Sequence, residues 1–488
     1  MMPCDSRQRL LEDRMRFLST SALVTCLALA ACASPREPVT NLPAAYQAPP
    51  GAGLDEALLD EWWLAFNDPQ LTALVEQALV LSPDARTAEA RLREARATAA
   101  SALTAFLPQG QLTGSARRTE TEQVEGQEIN IPGLSTSGES ESYQANFNVS
   151  WELDLFGRFF AARRAAQGDS AAARFAYEGA RASLAANVAD TYFQAQGLAI
   201  QLADARETLR IQDALGGLAE RRVELGIAAS SDADRIAGDL AQARAQVANL
   251  EAQLQAQQRV LLVLVGRGVD PVQSVNVDPT PGVVPPVPAS IPGEILARRP
   301  DVREAEARIR SAAGRLTYAQ LAFFPTFTLT PGLGISKQEQ PGYSATTQNW
   351  SIGANVSQPV LNIPQLLLDL RAQNARTEQA VINYERVVQT AYGEAENALV
   401  QLAADRRRVE LLTEGEARAE RAFEAGRVGY GAGVTDLQTA LSAEQSWRAV
   451  RSQLTAAQVQ AQRRAVQAYK ALGGGWSADD FSDSTSAR

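Results

Sequence analysis

Strict alternation of apolar and polar residues predicts β-strands in three segments of this chain. Between Phe323 and Ile335 the odd positions are apolar or proline, and nearly all of the even ones are Thr or Gly. The same period of two runs from Tyr143 to Leu153 and from Trp350 to Val356. A fourth strand, near Leu107–Arg117, alternates poorly. Strands with one polar face fit a half-exposed soluble sheet, or a membrane barrel that faces lipid on one side and water on the other.

Four strands of about ten residues suit a tilted membrane crossing, but they cannot close a barrel of useful bore. An open strand edge leaves backbone groups without partners in lipid. If these strands cross a membrane, several chains must therefore share one barrel. The polar connections Arg118–Glu141 and Ser336–Asn349 would then be surface loops.

The sequence contains the same unit twice. Pro83–Arg93 recurs as Pro300–Arg310, with eight of eleven positions identical at an offset of 217. Arg222–Gly226 matches Arg427–Gly431. Each copy predicts a helix, two strands and then very long helices, since proline is almost absent after each hairpin. Roughly 60 helical residues would reach about 90 Å.

A seven-residue apolar repeat in the first long-helix region predicts a coiled-coil seam. The repeat consists of Leu240, Val247, Leu254 and Leu261, with Ala243, Leu250 and Leu264 on the adjoining row. A soluble antiparallel coiled coil would show the same period. The proline-rich stretch Pro271–Pro292 reads as an extended connector between the copies.

The N-terminus carries a targeting signal. Four arginines precede an apolar run, Phe17–Ala31, which ends in Leu29-Ala30-Ala31-Cys32. This is typical of a secretory signal over residues 1–31, with translation starting at Met1 or Met15, and it is too short for a stable transmembrane helix. Leu-Ala-Ala-Cys resembles the bacterial lipobox, which implies that Cys32 is lipidated and anchors the chain to the outer membrane. A plain secretory signal that contains cysteine is the alternative.

Composition excludes several classes of function. The chain has 46 basic and 56 acidic residues and a net charge of -10, which argues against nucleic acid as a partner. It has no histidine, and its few cysteines are Cys4, Cys26 and Cys32. Histidine-based catalysis and histidine metal sites are therefore excluded. The sequence also lacks a GxxxxGK[ST] motif and any paired catalytic constellation, so we expect no enzyme, no cofactor and no metal site.

Four motifs in order resemble the TolC-like outer-membrane efflux proteins, specifically the NodT/OprM-type lipoprotein branch that works with RND efflux systems. They are Trp62–Leu71 (WWLAFNDPQL), Trp151–Arg158 (WELDLFGR), Leu296–Arg303 (LARRPDVR) and Lys470–Trp476 (KALGGGW). The resemblance implies a mainly α fold with a transmembrane β part. In it, a homotrimer forms a 12-stranded β-barrel, four strands per chain, continued by a periplasmic α-helical barrel.

The resemblance also implies a function. Such proteins are passive exit ducts in the outer membrane, and they export drugs, dyes or detergents together with a periplasmic adaptor and an inner-membrane pump. Two alternatives stay open: the outer-membrane duct of a type I protein secretion system, and a lipid-anchored periplasmic coiled coil without a pore. Heavy-metal ions are a less favoured cargo.

The predicted organisation follows the duplication. We expect a signal peptide at 1–31, a lipidated extended segment at 32–70, a first repeat at 71–270, a connector at 271–292, a second repeat at 293–475 and a tail at 476–488.

In this family the far tip of the helical tube is a gate, at the turns between long helices. Gly226 and Gly431 would mark those turns as left-handed helix stops. Asp436 matches the place of a gating aspartate, whereas Thr439 stands where an acid is frequent. Asp436 would form a ring that favours cations, cap the following helix, or do both. Two arginines at the same tip, Arg222 and Arg427, either meet the adaptor or pair with nearby acids.

Overall fold

The computed structural model describes residues 38–40, 42–43, 46, 59–122, 124–126, 138–226, 229–287, 297–340 and 342–476. The predicted signal peptide, Cys32 and most of the C-terminal tail lie outside these ranges. The described elements repeat in the order helix, two strands, long helix and shorter helix, so the predicted duplicated unit is confirmed.

The four strands form one antiparallel sheet in the order β1-β2-β3-β4. Their bounds are Gln109–Thr121 (β1), Gly138–Leu153 (β2), Thr326–Gln340 (β3) and Tyr343–Ser357 (β4). Each hairpin belongs to one copy of the repeat, and the pairing of β2 with β3 joins the two copies.

The predicted loops are wrong in extent, because the strands continue beyond the apolar pattern. The connection between β1 and β2 covers only residues 122–137, and that between β3 and β4 only residues 341–342. A hydrogen-bonded ladder needs paired backbones rather than apolar side chains, and polar pairs suffice to continue it. Arg118 and Glu141, for example, are directly opposite and form a 3.5 Å ion pair.

Seven helices of the described chain accompany the sheet. They are α1 (Pro69–Leu81), α2 (Pro83–Thr104), α3 (Arg158–Glu224), α4 (Ser230–Leu264), α5 (Pro300–Leu321), α6 (Ile363–Gly431) and α7 (Leu437–Ala471). The long helices α3 and α6 have 67 and 69 residues, which confirms the prediction from the missing prolines. Helix α1 was not predicted. Within the described residues, no helix is both long enough and apolar enough to cross a membrane.

The coiled-coil seam of α4 is only partly buried within this chain. Ala243, Leu250 and Leu261 are buried, and the other members of the repeat are half-buried. Short 3-10 turns at Trp62–Phe66 and Val272–Ser274 precede α1 and follow α4.

The chain divides into two compact units, each built from several segments. One contains Glu94–Ala172 and Glu306–Asn383, including the sheet; the other contains Val39–Arg93, Ala173–Ala305 and Tyr384 onward. In the second unit the core is mostly Ala, Leu and Val with a group of aromatic residues, among which Trp62 stacks on Tyr469 with ring centroids 5.8 Å apart.

The four family-like motifs are structural in this fold. Asp68 caps α1 by accepting the Gln70 and Leu71 N–H groups, and it receives a 2.6 Å hydrogen bond from the Tyr192 hydroxyl. The buried guanidinium of Arg299 donates to Glu394 at 2.7 Å and to the Ala471 carbonyl at 3.1 Å. These contacts tie the start of α5 to α6 and to the end of α7.

Within the sheet-bearing unit, α3 and α5 approach each other closely at two glycines. A Cβ placed on Gly168 would lie 2.5 Å from the Ser311 backbone nitrogen, and one on Gly314 would lie 2.5 Å from the Ala165 backbone nitrogen. Because both neighbours are backbone atoms on packed helices, any side chain here forces the helices apart.

We expect Gly314→Ala to lower the free energy of unfolding by about 1–3 kcal/mol through overpacking. The matched control is Gly393→Ala, also within a helix, where a Cβ meets nothing within 4 Å. That substitution should raise stability by about 0.5–1 kcal/mol because alanine favours helix. Denaturant unfolding of the detergent-solubilised protein, followed by helical circular dichroism, measures both. Equal effects of the two substitutions would contradict the close contact.

Candidate functional site

The register of the sheet separates polar from apolar side chains completely over its middle. One row of directly opposite residues is Leu112, Phe147, Leu333 and Trp350, and the next is Thr113, Asn146, Gly334 and Asn349. Successive residues of a strand point to opposite faces, so these rows lie on opposite sides of the sheet. The apolar face is uncovered in this chain: Leu112 and Trp350 are 75% and 78% exposed. A face of this kind requires an apolar medium or partner.

The apolar face ends in charged side chains near the hairpin connections. Arg118 pairs with Glu139, and Lys337 pairs with Glu339. Tyr143, at the border, donates a 2.9 Å hydrogen bond to Glu141. A band of apolar residues that ends in a tyrosine and in ion pairs is typical of strands that pass from lipid into water.

The other end of the sheet leads directly into helix. Asp154 Oδ1 accepts the N–H groups of Gly157 and Arg158, and its Oδ2 accepts that of Phe159. Gly157 has φ +85°, a conformation that side chains disfavour. This motif therefore works as a strand-to-helix corner that caps α3.

Only one of the two predicted glycine stops has the expected geometry. Gly226 follows α3 with φ +71°, which confirms that stop. The prediction for Gly431 is wrong: it is the last residue of α6, and the left-handed residue is Gly433, with φ +77°. Helix α6 continues to Gly431 itself, and a left-handed stop belongs after the last helical residue.

Asp436 caps the N-terminus of α7. Its Oδ1 accepts the Thr439 backbone N–H at 2.6 Å. That hydrogen bond lowers the pKa of Asp436 below its ordinary value, so this exposed carboxylate is charged at neutral pH. Thr439 supports this cap through its backbone N–H and its side chain, and it brings no second acid. A cap does not exclude a further role for the charge.

The two arginines are described unequally. Arg427 forms a 2.8 Å ion pair with Glu424 on its own helix, and both side chains are more than half exposed. Exposed pairs of this kind contribute little to stability. The side chain of Arg222 lies outside the described part of the chain.

Glu444 is a buried acid that our sequence analysis missed. It lies on α7, only 1% exposed, and both of its oxygens are 3.3 Å from Gln212 Nε2 on α3. Burial raises its pKa, while Arg448 at 3.5 Å and Gln212 act in the opposite direction. The signal was present: Glu444 lies midway between buried Leu441 and Trp447, three residues from each. It therefore interrupts an apolar helix stripe.

We expect Glu444→Gln to stabilise the protein at pH 8 and to have little effect at pH 4. The folded-state pKa of Glu444 lies above the ordinary 4.5. Between the unfolded-state pKa and the folded-state pKa, the folded state therefore binds more protons than the unfolded state. Stability therefore falls as pH rises through that window, and the amide removes the fall. Denaturant midpoints at the two pH values measure this, with exposed Glu424→Gln as the control. A destabilised Glu444→Gln at pH 8 would show that the carboxylate is stabilising as an anion.

A sheet with one lipid-facing side, joined to very long helices, defines a class of outer-membrane channel. The model of the family described as "Outer membrane efflux protein" matches residues 74–267 and 291–474. The chain therefore belongs to the outer membrane efflux protein family. It is an outer-membrane component of an efflux system.

Relatives and solved structures agree over nearly the whole chain. The pyoverdine export outer membrane protein OpmQ of Pseudomonas putida is 31% identical over 463 residues, which cover 93% of this chain and 96% of OpmQ. The cation efflux system protein CusC of Escherichia coli is 29% identical, with 85% and 88% covered. The structure of the outer-membrane channel OprN superimposes with a TM-score of 0.76 at 28% identity, with 91% and 100% covered.

Proposed function

We propose that three copies of this chain form a passive exit duct across the outer membrane. The observation that carries this proposal is the sheet, which has one apolar face, one polar face and no partner for β1 or β4 at its outer edges within the described residues. Three such sheets joined edge to edge give twelve strands and leave no free edge. The apolar faces then meet lipid, and the polar faces surround water.

We propose small molecules as cargo and no catalysed reaction. The relatives named for pyoverdine export and for cation efflux support small solutes. Within the described ranges, no group of three or more Cys, Asp or Glu residues is arranged to hold a metal ion. The energy would come from an inner-membrane pump, which reaches the duct through a periplasmic adaptor at the helix turns after Gly226 and Gly431.

We propose that Cys32 carries the lipid anchor. The described residues that follow it run along α6: the Val39 N–H donates a 2.9 Å hydrogen bond to Glu385, and Tyr46 stacks on Tyr392 with centroids 5.5 Å apart. Contacts of Val39 and Tyr46 with α6 support an anchor N-terminal to them. A relative named as a probable outer membrane lipoprotein, SilC of Salmonella typhimurium, supports the same arrangement.

We propose that Asp436 both caps α7 and gives the duct a cation-favouring constriction. Three copies of one exposed carboxylate around an axis would attract cations and hold water. Since Thr439 is not an acid, the ring would be single. Arg222 lies near the end of α3, with its side chain outside the described part, and Arg427 lies near the end of α6. Both would contribute to the surface of the duct that binds the adaptor.

Deleting the gene should raise the accumulation of a fluorescent pump substrate in cells, because the exit step is lost, and a plasmid copy should restore the lower level. Fluorimetry of dye-loaded cells measures both. Unchanged dye levels together with the loss of a secreted protein from the medium would transfer the function to protein secretion. Unchanged dye and unchanged secreted proteins would overturn the small-molecule proposal.

Asp436→Asn separates the cap from the constriction. Asparagine caps helices as well as aspartate does, so stability should stay within about 0.5 kcal/mol of the parent protein. The cation preference of the purified channel, read from the reversal potential in a salt gradient across a planar bilayer, should fall. Asp436→Ala should lower selectivity equally and also cost about 0.5–2 kcal/mol of stability.

The control for this pair is Glu89→Gln, the same change of charge at an exposed position of helix α2, which should leave selectivity unchanged. If Asp436→Asn keeps the full cation preference, Asp436 is a cap and nothing more.

A further inference from the structure

The polar face of the sheet carries almost no charge, although the strands themselves are not poor in charge. The four strands contain eight charged residues. Six of these lie on the apolar face, at its hairpin end: Arg118, Glu120, Glu139, Glu141, Lys337 and Glu339. The polar face holds only Arg117 and Glu152. Charge is thus sorted to the side of the sheet that would face away from the water column.

The two exceptions lie at opposite ends of the polar face. Arg117 is near the hairpin end, opposite Ser142. Glu152 is one residue from the end of β2 and forms a 2.9 Å ion pair with Arg158, which neutralises it. Between these two positions, every described residue of the polar face is an amide, a hydroxyl or a glycine.

The amides lie flat along the wall where the face contains glycine. A Cβ on Gly334 would meet Asn146 Oδ1 at 2.4 Å and Asn349 Oδ1 at 2.6 Å, so these side chains extend across the glycine from both neighbouring strands. A Cβ on Gly332 would likewise meet Asn148 Oδ1 and Ser351 Oγ, each at 3.1 Å. The wall is therefore smooth, hydrogen-bonding and uncharged.

We propose that the stretch of the membrane-crossing duct between Arg117 and Glu152 does not discriminate cargo by charge, and that the neutral row Asn146, Gly334 and Asn349 is typical of its lining. This inference rests on the proposed function, in which the polar face encloses the lumen. Between these two positions the wall has no fixed charge and concentrates neither cations nor anions, so cargo of either sign passes this stretch equally well. Selection by charge is then left to the periplasmic end of the duct.

Cysteine modification tests the lumen without requiring efflux. In the sequence after residue 31, Cys32 is the only cysteine, so single cysteines can be introduced and the parent protein gives the background. We would use Gln338→Cys near the hairpin end and Asn355→Cys near the helix end, both on the polar face. Ala354→Cys, beside Asn355 on the apolar face, is the matched control.

The purified full-length protein, reconstituted in lipid vesicles, is treated with a cationic and an anionic methanethiosulfonate of similar size. About 10 mM salt keeps the screening length near 30 Å, so that fixed charge would be felt. The ratio of the cationic to the anionic rate at Asn355→Cys is divided by the ratio that the two reagents give with a small free thiol in solution. Gln338→Cys lies in the same row as Arg117 and therefore reports that one charge separately. Ser351→Asp added to Asn355→Cys calibrates the response, because it places a charge on the same face of β4.

We expect the normalised ratio to stay within threefold of one and to rise more than threefold with Ser351→Asp. A normalised ratio more than threefold from one without the added aspartate would overturn the neutral lumen. Equal ratios for Asn355→Cys with and without Ser351→Asp would overturn it as well. Ala354→Cys should react slowly with both reagents. If it reacts as fast as Asn355→Cys, the polar face does not line the lumen, and the duct itself, rather than its neutrality, is refuted.

Discussion

The outer edges of β1 and β4 are the constraint on which the rest of this molecule depends. These strands have 13 and 15 residues, and on their outer sides no strand of the described chain pairs with them. In lipid each unpaired backbone group costs several kcal/mol, and in water a long free edge invites aggregation. One chain therefore satisfies neither medium. A single chain is therefore not stable in the membrane until its strand edges pair with those of other copies.

The same constraint explains why the two repeats must be held in a fixed register. In the pairing of β2 with β3, Asn146 lies opposite Gly334. The chain continues from β2 into α3, while α5 leads into β3, and these helices touch where Gly168 meets Ser311. A slip of one residue in the sheet would exchange its polar and apolar faces. The close helix contact opposes that slip, because only a glycine fits there.

Sequence patterns predict those features of the fold that burial or lipid imposes on side chains. Alternation predicted β2, β3 and β4, and the missing prolines predicted α3 and α6, because both patterns follow from local geometry. The alternation did not predict the ends of the strands, because backbone pairing continues through polar residues such as Lys337. Gly433 escaped because α6 has several glycines near its end, and only the final hydrogen bonds decide which one turns. Glu444 escaped because its burial depends on α3, more than 200 residues away in the sequence.

The motifs that identify this family and the residues that would act on cargo are different residues. Trp62, Asp154 and Arg299 are engaged in packing, capping and buried hydrogen bonds, so they specify how the chain folds. On the polar face of the sheet, Asn146 and Asn349 lie against Gly334, and none of the three belongs to a buried hydrophobic cluster. A motif therefore identifies the architecture, whereas selectivity has to be measured on the exposed, unremarkable positions between motifs.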